Sequence, residues 1–71
     1  MLTALVECYS GYQYPERPVA FQWQGDRLKV EQILAEWRIP DGKRFQVRTQ
    51  DGQLFDLFFR EMYDEWQIYP V

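Results

Sequence analysis

Cysteine and histidine, the residues that most often act as nucleophile and base near neutral pH, are almost absent from this 71-residue sequence. It has one cysteine, Cys8, and no histidine. Catalysis by serine–histidine–aspartate or cysteine–histidine groups, histidine metal sites and histidine pH switches are therefore excluded within this chain. A nucleophilic Cys8 would need another base. Because Cys8 lies in an apolar run, we interpret it as a small buried or half-buried hydrophobic residue.

The carboxylates have an ordinary structural explanation. Asp26, Asp41 and Asp51 each adjoin a glycine, which is typical of turns in which aspartate binds the nearby backbone. The acidic cluster at 61–65 offers oxygen ligands for a divalent ion, but without EF-hand spacing we interpret it as a solvated corner. Isolated glycines form no phosphate-binding loop. The sequence thus predicts no catalytic residue, no metal site and no cofactor.

The segment 9–18 combines tyrosines with prolines, and its candidate contact residues are Tyr9, Tyr12 and Tyr14. Two interpretations remain open. The segment could plug the open end of a small barrel, or it could form an aromatic groove for an extended peptide.

Turn-forming residues divide the chain into short segments rich in β-branched and aromatic residues, which predicts a meander of strands. Turn length fixes which side chains share a face. We predict a two-residue loop at 25–26, three-residue loops at 40–42 and 50–52, and a four-residue corner at 61–64. The resulting opposed pairs are Trp23 with Leu28, Trp37 with Phe45, Ala35 with Val47, Val47 with Phe55, and Phe59 with Trp66.

These registers predict one all-β domain over 1–71, with about six antiparallel strands in a small, bent, partly closed barrel. Val30 and Ile33 can share one face only if a β-bulge at Glu31-Gln32 shifts the in–out alternation of side chains by one residue. The segment Thr3 to Cys8 is expected to pair with the last strand. The predicted inner face consists of Phe21, Trp23, Leu28, Val30, Ile33, Ala35, Trp37, Phe45, Val47, Phe55, Leu57, Phe59, Trp66 and Ile68.

A competing interpretation concerns 30–37. Val30, Ile33 and Trp37 have helical spacing, and the residues between them are good helix formers. A short helix there would make the domain α+β.

The outer face of the predicted sheet is unusually rich in apolar and arginine side chains. These residue types are enriched at the centres of protein interfaces. We therefore predict a non-catalytic interaction or accessory domain that binds a protein partner or itself through this face. Its candidate surface residues are Leu34, Arg38, Arg44, Arg48, Leu54, Phe58 and Tyr69, with Arg38 expected beside Arg44 and Leu34 beside Arg48.

The alternative function is weak binding of single-stranded nucleic acid, in which bases stack on the aromatic rings and arginines meet phosphates. Three arginines would neutralise only about three phosphates, so this binding would be weak and salt-dependent. The net charge of −3 also disfavours nucleic acid and anionic membranes as partners.

Several motifs together resemble a bacterial family catalogued only as a domain of unknown function. They are Phe21-x-Trp23-x-Gly25, the set Val30, Ile33-Leu34 and Trp37, then Phe55-x-Leu57 and Trp66-x-Ile68, covering about 18–71. The resemblance implies a small bacterial domain and brings no catalytic residues with it. A lone cysteine, a short apolar N-terminus and no long apolar run predict a cytoplasmic location without a membrane span.

Overall fold

The computed structural model describes residues 5–10 and 15–71, and within them six antiparallel strands form a meander that curls into a half-barrel. This confirms the predicted all-β class. Each strand pairs with its neighbours in sequence, in the order β1 to β6. The elements are β1 (Val6–Ser10), β2 (Pro15–Trp23), β3 (Asp26–Ile39), β4 (Gly42–Thr49), β5 (Leu54–Arg60), a short 3₁₀ helix (Glu61–Tyr63) and β6 (Glu65–Pro70).

Strand β3 is continuous, so the alternative of a helix near 30–37 is wrong. Pairing along β4 satisfies its backbone, and this tertiary contact overrides the local helix propensity. Its register with β4 shifts between Val30 and Gln32, as predicted, and again between Ile33 and Ala35. Each shift inserts one unpaired residue, and two bulges in succession increase the twist that curls the sheet.

The hairpin between β2 and β3 turns one residue earlier than predicted. Its loop is Gln24-Gly25, with φ values of 50° and 86°, which suit a type I′ turn. Phe21 therefore faces Leu28, and Trp23 faces Asp26. Because the pairing differs from the prediction by two residues, each side chain keeps its predicted face.

The hairpin between β3 and β4 differs from the prediction in a way that changes which side chains face the core. Its loop is Pro40-Asp41, and Gly42 is already the first residue of β4, opposite Ile39. The register therefore slips by one residue, and Trp37 lies opposite Arg44 instead of Phe45. A one-residue slip reverses the face. Trp37 and Ala35 consequently lie on the outer face and are not part of the core.

The last two hairpins confirm their predicted registers. Val47 lies opposite Phe55, and Phe59 lies opposite Trp66. In the first of these turns Gly52 has the predicted left-handed φ of 87°. Both loop lengths are therefore as the sequence predicted.

The core fills the concave side of the half-barrel. Strand β2 packs across it against β5, with the Phe21 and Phe55 rings 5.0 Å apart and the Trp23 and Phe55 rings 5.4 Å apart. Around a buried cluster lies a set of partly buried residues: Val6, Cys8, Trp23, Leu28, Val30, Ile33 and Ile68. That cluster contains Phe21, Phe45, Val47, Phe55, Leu57, Phe59 and Trp66.

Strand β1 pairs with β2 and not, as predicted, with the last strand. Tyr9 lies in β1 opposite Arg17, and β2 already begins at Pro15. The loop predicted over 9–18 is therefore much shorter, and Tyr12 and Tyr14 lie outside the described residues. In the described part of the chain, no helix is long and apolar enough to cross a membrane.

Candidate interaction surface

The outer face of strands β3 to β6 is organised in cross-strand rows. One row runs from Trp37 through Arg44 and Phe58 to Gln67. The next row runs through Ala35, Gln46, Asp56 and Tyr69. A third row contains Gln32, Arg48 and Leu54.

Arg44 is the centre of the first row. Its guanidinium carbon lies 4.4 Å from the centroid of the Trp37 ring and 5.5 Å from that of Phe58. Its Nη2 also donates to Asp56 Oδ2 at 3.0 Å. Two aromatic faces and one carboxylate thus hold the guanidinium, which combines cation–π attraction with a charge-assisted hydrogen bond.

The aromatic contacts continue towards the edge of the sheet. Phe58 meets Tyr69 edge to face, with centroids 5.6 Å apart, and the Tyr69 hydroxyl donates to Gln67 Oε1 at 3.2 Å. Trp37 is 41% exposed, Leu54 is 39% exposed and Tyr69 is 50% exposed. We use the name outer patch for Trp37, Arg44, Leu54, Phe58 and Tyr69.

The structure brings together only some of the predicted surface residues. Arg44, Phe58, Leu54 and Tyr69 lie where the β4–β6 registers placed them, with Arg48 directly opposite Leu54. On β3 the prediction is wrong, because the bulge at Leu34 and the shorter turn move different residues onto this face.

Arg38 and Leu34 are the two residues displaced by that shift. Arg38 lies opposite Lys43, a pair that alternation places on the other side of the sheet from Trp37 and Arg44. The Nη2 atom of Arg38 is 3.6 Å from Glu61 Oε1. Leu34 is the bulged residue, skipped by the pairing with β4. Neither neighbours its predicted partner, so Trp37 and Gln32 stand in their places beside Arg44 and Arg48.

Sequence analysis assigned Trp37 to the core and so missed it as a surface residue. The turn gave no signal for this, since proline at the first loop position disfavours the type I′ and II′ geometries that are usual in two-residue hairpin loops. The reason for a glycine at 42 lies elsewhere in the fold. A Cβ there would stand 2.0 Å from the Phe59 carbonyl oxygen, a contact that the sequence does not reveal.

The charges on this face are already paired within the domain. Besides the Arg44–Asp56 pair, Arg48 Nε donates to Glu31 Oε1 at 3.1 Å and its Nη2 donates to Gln32 Oε1 at 2.7 Å. The exposed pairs of Arg48 contribute little to stability, whereas the Arg44–Asp56 pair is half-buried. They do orient the guanidinium groups and offset their positive charge.

The remaining chemistry of the described residues is sparse. Burial raises the pKa of the Cys8 thiol to about 11, so the thiol stays protonated and weakly nucleophilic at neutral pH. Among residues 5–10 and 15–71, no group of three or more cysteine and carboxylate side chains is placed to hold a metal ion.

A shallow depression of about 530 Å³ lies beside the 3₁₀ helix, lined by Arg38, Pro40, Asp41, Arg60, Glu61, Met62 and Tyr63. The Arg60 guanidinium carbon covers the Tyr63 ring at 4.5 Å. This depression is separate from the outer patch. Comparisons of the chain with protein-family models, with curated proteins and with solved structures find no match.

Proposed function

We propose that this chain is a non-catalytic interaction module whose outer patch binds a protein partner or a second copy. The single observation that supports this most is the stack of exposed Trp37 on half-buried Arg44 and Phe58, continued by exposed Tyr69. Tryptophan, tyrosine and arginine are the residue types that most often dominate binding energy at protein interfaces. Here they form one surface on the convex side of a filled core.

The patch is also preorganised. Arg44 is fixed between two rings and Asp56, so little side-chain entropy remains to be lost when a partner binds. The rigid four-stranded support beneath it, β3 to β6, holds the rings at defined positions. Such a surface favours a partner with an apolar groove or a complementary aromatic group.

Protein is favoured over single-stranded nucleic acid by the charge arrangement. Arg38, Arg44 and Arg48 each have a carboxylate within 3.6 Å. Phosphates would have to compete with these carboxylates, and the net charge of −3 opposes the approach of a polyanion.

Site-specific photo-crosslinking in the native cell tests this proposal. A benzophenone amino acid replaces Leu54, which is on the outer patch, or Met62, which is 85% exposed on the 3₁₀ helix and serves as the control. We expect a discrete protein adduct from position 54 that Trp37→Ala removes, and none of the same mass from position 62. Equal adducts from both positions, or an adduct at 54 that nuclease destroys, would contradict the proposal.

A further inference from the structure

We infer that two copies of this chain associate through the free edge of β6, in an antiparallel arrangement centred on Gln67. This interface meets the outer patch only at Tyr69, and it does not depend on the function proposed for that patch. The starting point is that, among residues 5–10 and 15–71, the six-stranded sheet is open, with β1 and β6 as its two end strands and each paired on one side. Open edges present unpaired backbone groups to other chains.

The two edges differ in regularity. Strand β1 pairs with β2 irregularly, with register shifts between Glu7 and Cys8 and between Tyr9 and Ser10. Bulges of this kind protect an edge because they twist it out of alignment. Strand β6 pairs with β5 over six consecutive residue pairs without any shift. Of the two edges, β6 is therefore the one shaped to receive another strand.

The backbone N–H and C=O groups of β6 that point away from β5 are spaced so that they can pair with the same groups of a second β6. The Val71 N–H donates to the Leu54 carbonyl at 3.0 Å, which marks this opposed pair as hydrogen-bonded. Alternation along an antiparallel ladder then makes Glu65, Gln67 and Tyr69 bond to β5. Trp66 and Ile68 consequently direct their N–H and C=O groups outward, away from β5.

The side chains at the centre of β6 do not protect this edge against pairing with another strand. Between Glu65 and Pro70 the strand reads Trp66-Gln67-Ile68-Tyr69, with no charged residue and no glycine. Proteins usually protect exposed edges with inward-pointing charges, lysines or prolines. Within β6 Pro70 is the only such residue, and it lies beyond Glu65 to Tyr69, the five residues that would pair.

The occupant that this edge fits is a second copy. A two-fold axis at Gln67 places Trp66 opposite Ile68 of the second copy, and Ile68 opposite its Trp66. Each of these two pairs exchanges both N–H···O bonds without using Pro70. Aromatic and β-branched residues are favourable cross-strand partners. On the outer side Gln67 meets Gln67, and Glu65 meets Tyr69, so no like charges are opposed.

Other registers are less favourable. An axis at Ile68 would place Trp66 opposite Pro70, and the missing proline N–H would leave a carbonyl without its bond. The arrangement centred on Gln67 also joins the two sheets edge to edge, with both outer patches on the same side. Tyr69 of each patch then lies close to the seam, which doubles the surface available to a partner.

The test is a charge exchange at position 67, measured by light scattering after gel filtration over a range of concentrations. Gln67→Lys alone and Gln67→Glu alone each oppose like charges at the axis, which should weaken the dimer at least about tenfold. An equimolar mixture of the two variants should recover it. Gln46→Lys, on the same face but two strands from the edge, is the matched control and should remain dimeric.

Three results would overturn the inference. The first is a wild-type chain that stays monomeric at high concentration, and the second is a Gln67→Lys variant that dimerises as tightly as the wild type. The third is a dimer that Trp37→Ala dissociates while both variants at Gln67 leave it intact, since the outer patch itself would then be the self-association surface. A dimer unaffected by Trp37→Ala and recovered by mixing supports β6 pairing, whatever the outer patch binds.

Discussion

Gly25 and Gly42 look alike in the sequence, since each lies next to an aspartate in a predicted turn, but the fold uses them for different reasons. Gly25 takes a left-handed φ of 86° in open space, with no atom within 4 Å of a Cβ built there. Gly42 has φ of 155° and lies against the backbone of Phe59, 2.0 Å from where a Cβ would be. The first glycine provides only a conformation, and the second provides both a conformation and room.

Substitution by alanine should separate these two roles. Gly25→Ala should cost about 1 kcal/mol, because only the left-handed conformation is penalised. Gly42→Ala should cost about 3 kcal/mol or more, because β4 and β5 must move apart as well. Urea unfolding followed by tryptophan fluorescence gives both values. Equal losses of stability would show that the close approach of Gly42 to Phe59 is not maintained in solution.

At the scale of elements, the hairpin joining β4 to β5 is held by one buried hydroxyl. Thr49 is only 1% exposed. Its Oγ1 donates to Asp51 Oδ1 and accepts from the Gln53 backbone N–H at 3.1 Å. Gln53 Nε2 donates to Asp51 Oδ2 at 2.7 Å. These bonds to its carboxylate, first from Thr49 and then from Gln53, lower the pKa of Asp51.

Thr49→Val should therefore destabilise the domain by about 1–2 kcal/mol and raise the pKa of Asp51 towards its ordinary value. Because the folded pKa is lowered, this carboxylate stabilises the fold above its ordinary pKa of about 3.9 and ceases to do so as pH falls through the folded value. Part of the difference in stability between Thr49→Val and the wild type should therefore disappear at acidic pH. NMR titration of Asp51 and urea unfolding at several pH values provide the measurements.

Thr49→Ser is the control for this hairpin, since it keeps the hydroxyl and loses only a methyl group. It should leave the pKa of Asp51 low. If Thr49→Val and Thr49→Ser change that pKa equally, the hydroxyl is not what holds the carboxylate.

At the scale of the whole molecule, the aromatic rings fall into two groups: those that fill the inside of the half-barrel and those on its outer face. Trp66 is 9% exposed, and its ring lies 5.0 Å from that of Phe59 and 5.9 Å from that of Phe45. Trp37 packs on Arg44 at the surface. A chain of this size has a net stability of only about 4–10 kcal/mol, so the loss of a core ring is a large fraction of the total.

We expect Trp66→Ala to cost about 3–5 kcal/mol, because it removes a buried ring and leaves a cavity. Trp37→Ala should cost roughly 1 kcal/mol, mainly the lost stacking on Arg44. Thermal unfolding by circular dichroism compares the two variants. Similar costs would mean that Trp37 is part of the core, and the outer patch would then lose its central ring.

Much of the fold could be predicted because turn residues and strand alternation determine faces together. Twelve of the predicted inner-face residues belong to the core or pack against it, and Ala35 and Trp37 are the exceptions. At the Gln24-Gly25 turn the predicted pairing was wrong by two residues. Every side chain nevertheless kept its predicted face, since alternation has a period of two. An error of one residue at Pro40-Asp41 moved Trp37 to the other side.

The candidate site was predicted where its registers came from the later hairpins. Phe58 beside Arg44, and Tyr69 beside Asp56, follow from turns whose lengths were predicted correctly. The β3 part of the site was not predictable in the same way. Its bulge at Leu34 depends on how β3 bends across the barrel, and bending is decided by contacts with strands distant in sequence.

The amino-acid sequence by itself determined the class of this protein: a small all-β meander, with aromatic residues placed for packing and no histidine chemistry. Local turn preferences and period-two alternation are sufficient for that much. Only the tertiary structure decided which side of the sheet Trp37 occupies and that β6 is an end strand of the sheet formed by the described residues. The physical reason is that both depend on distant strands, through the approach of Gly42 to Phe59 and the pairing of β1 with β2.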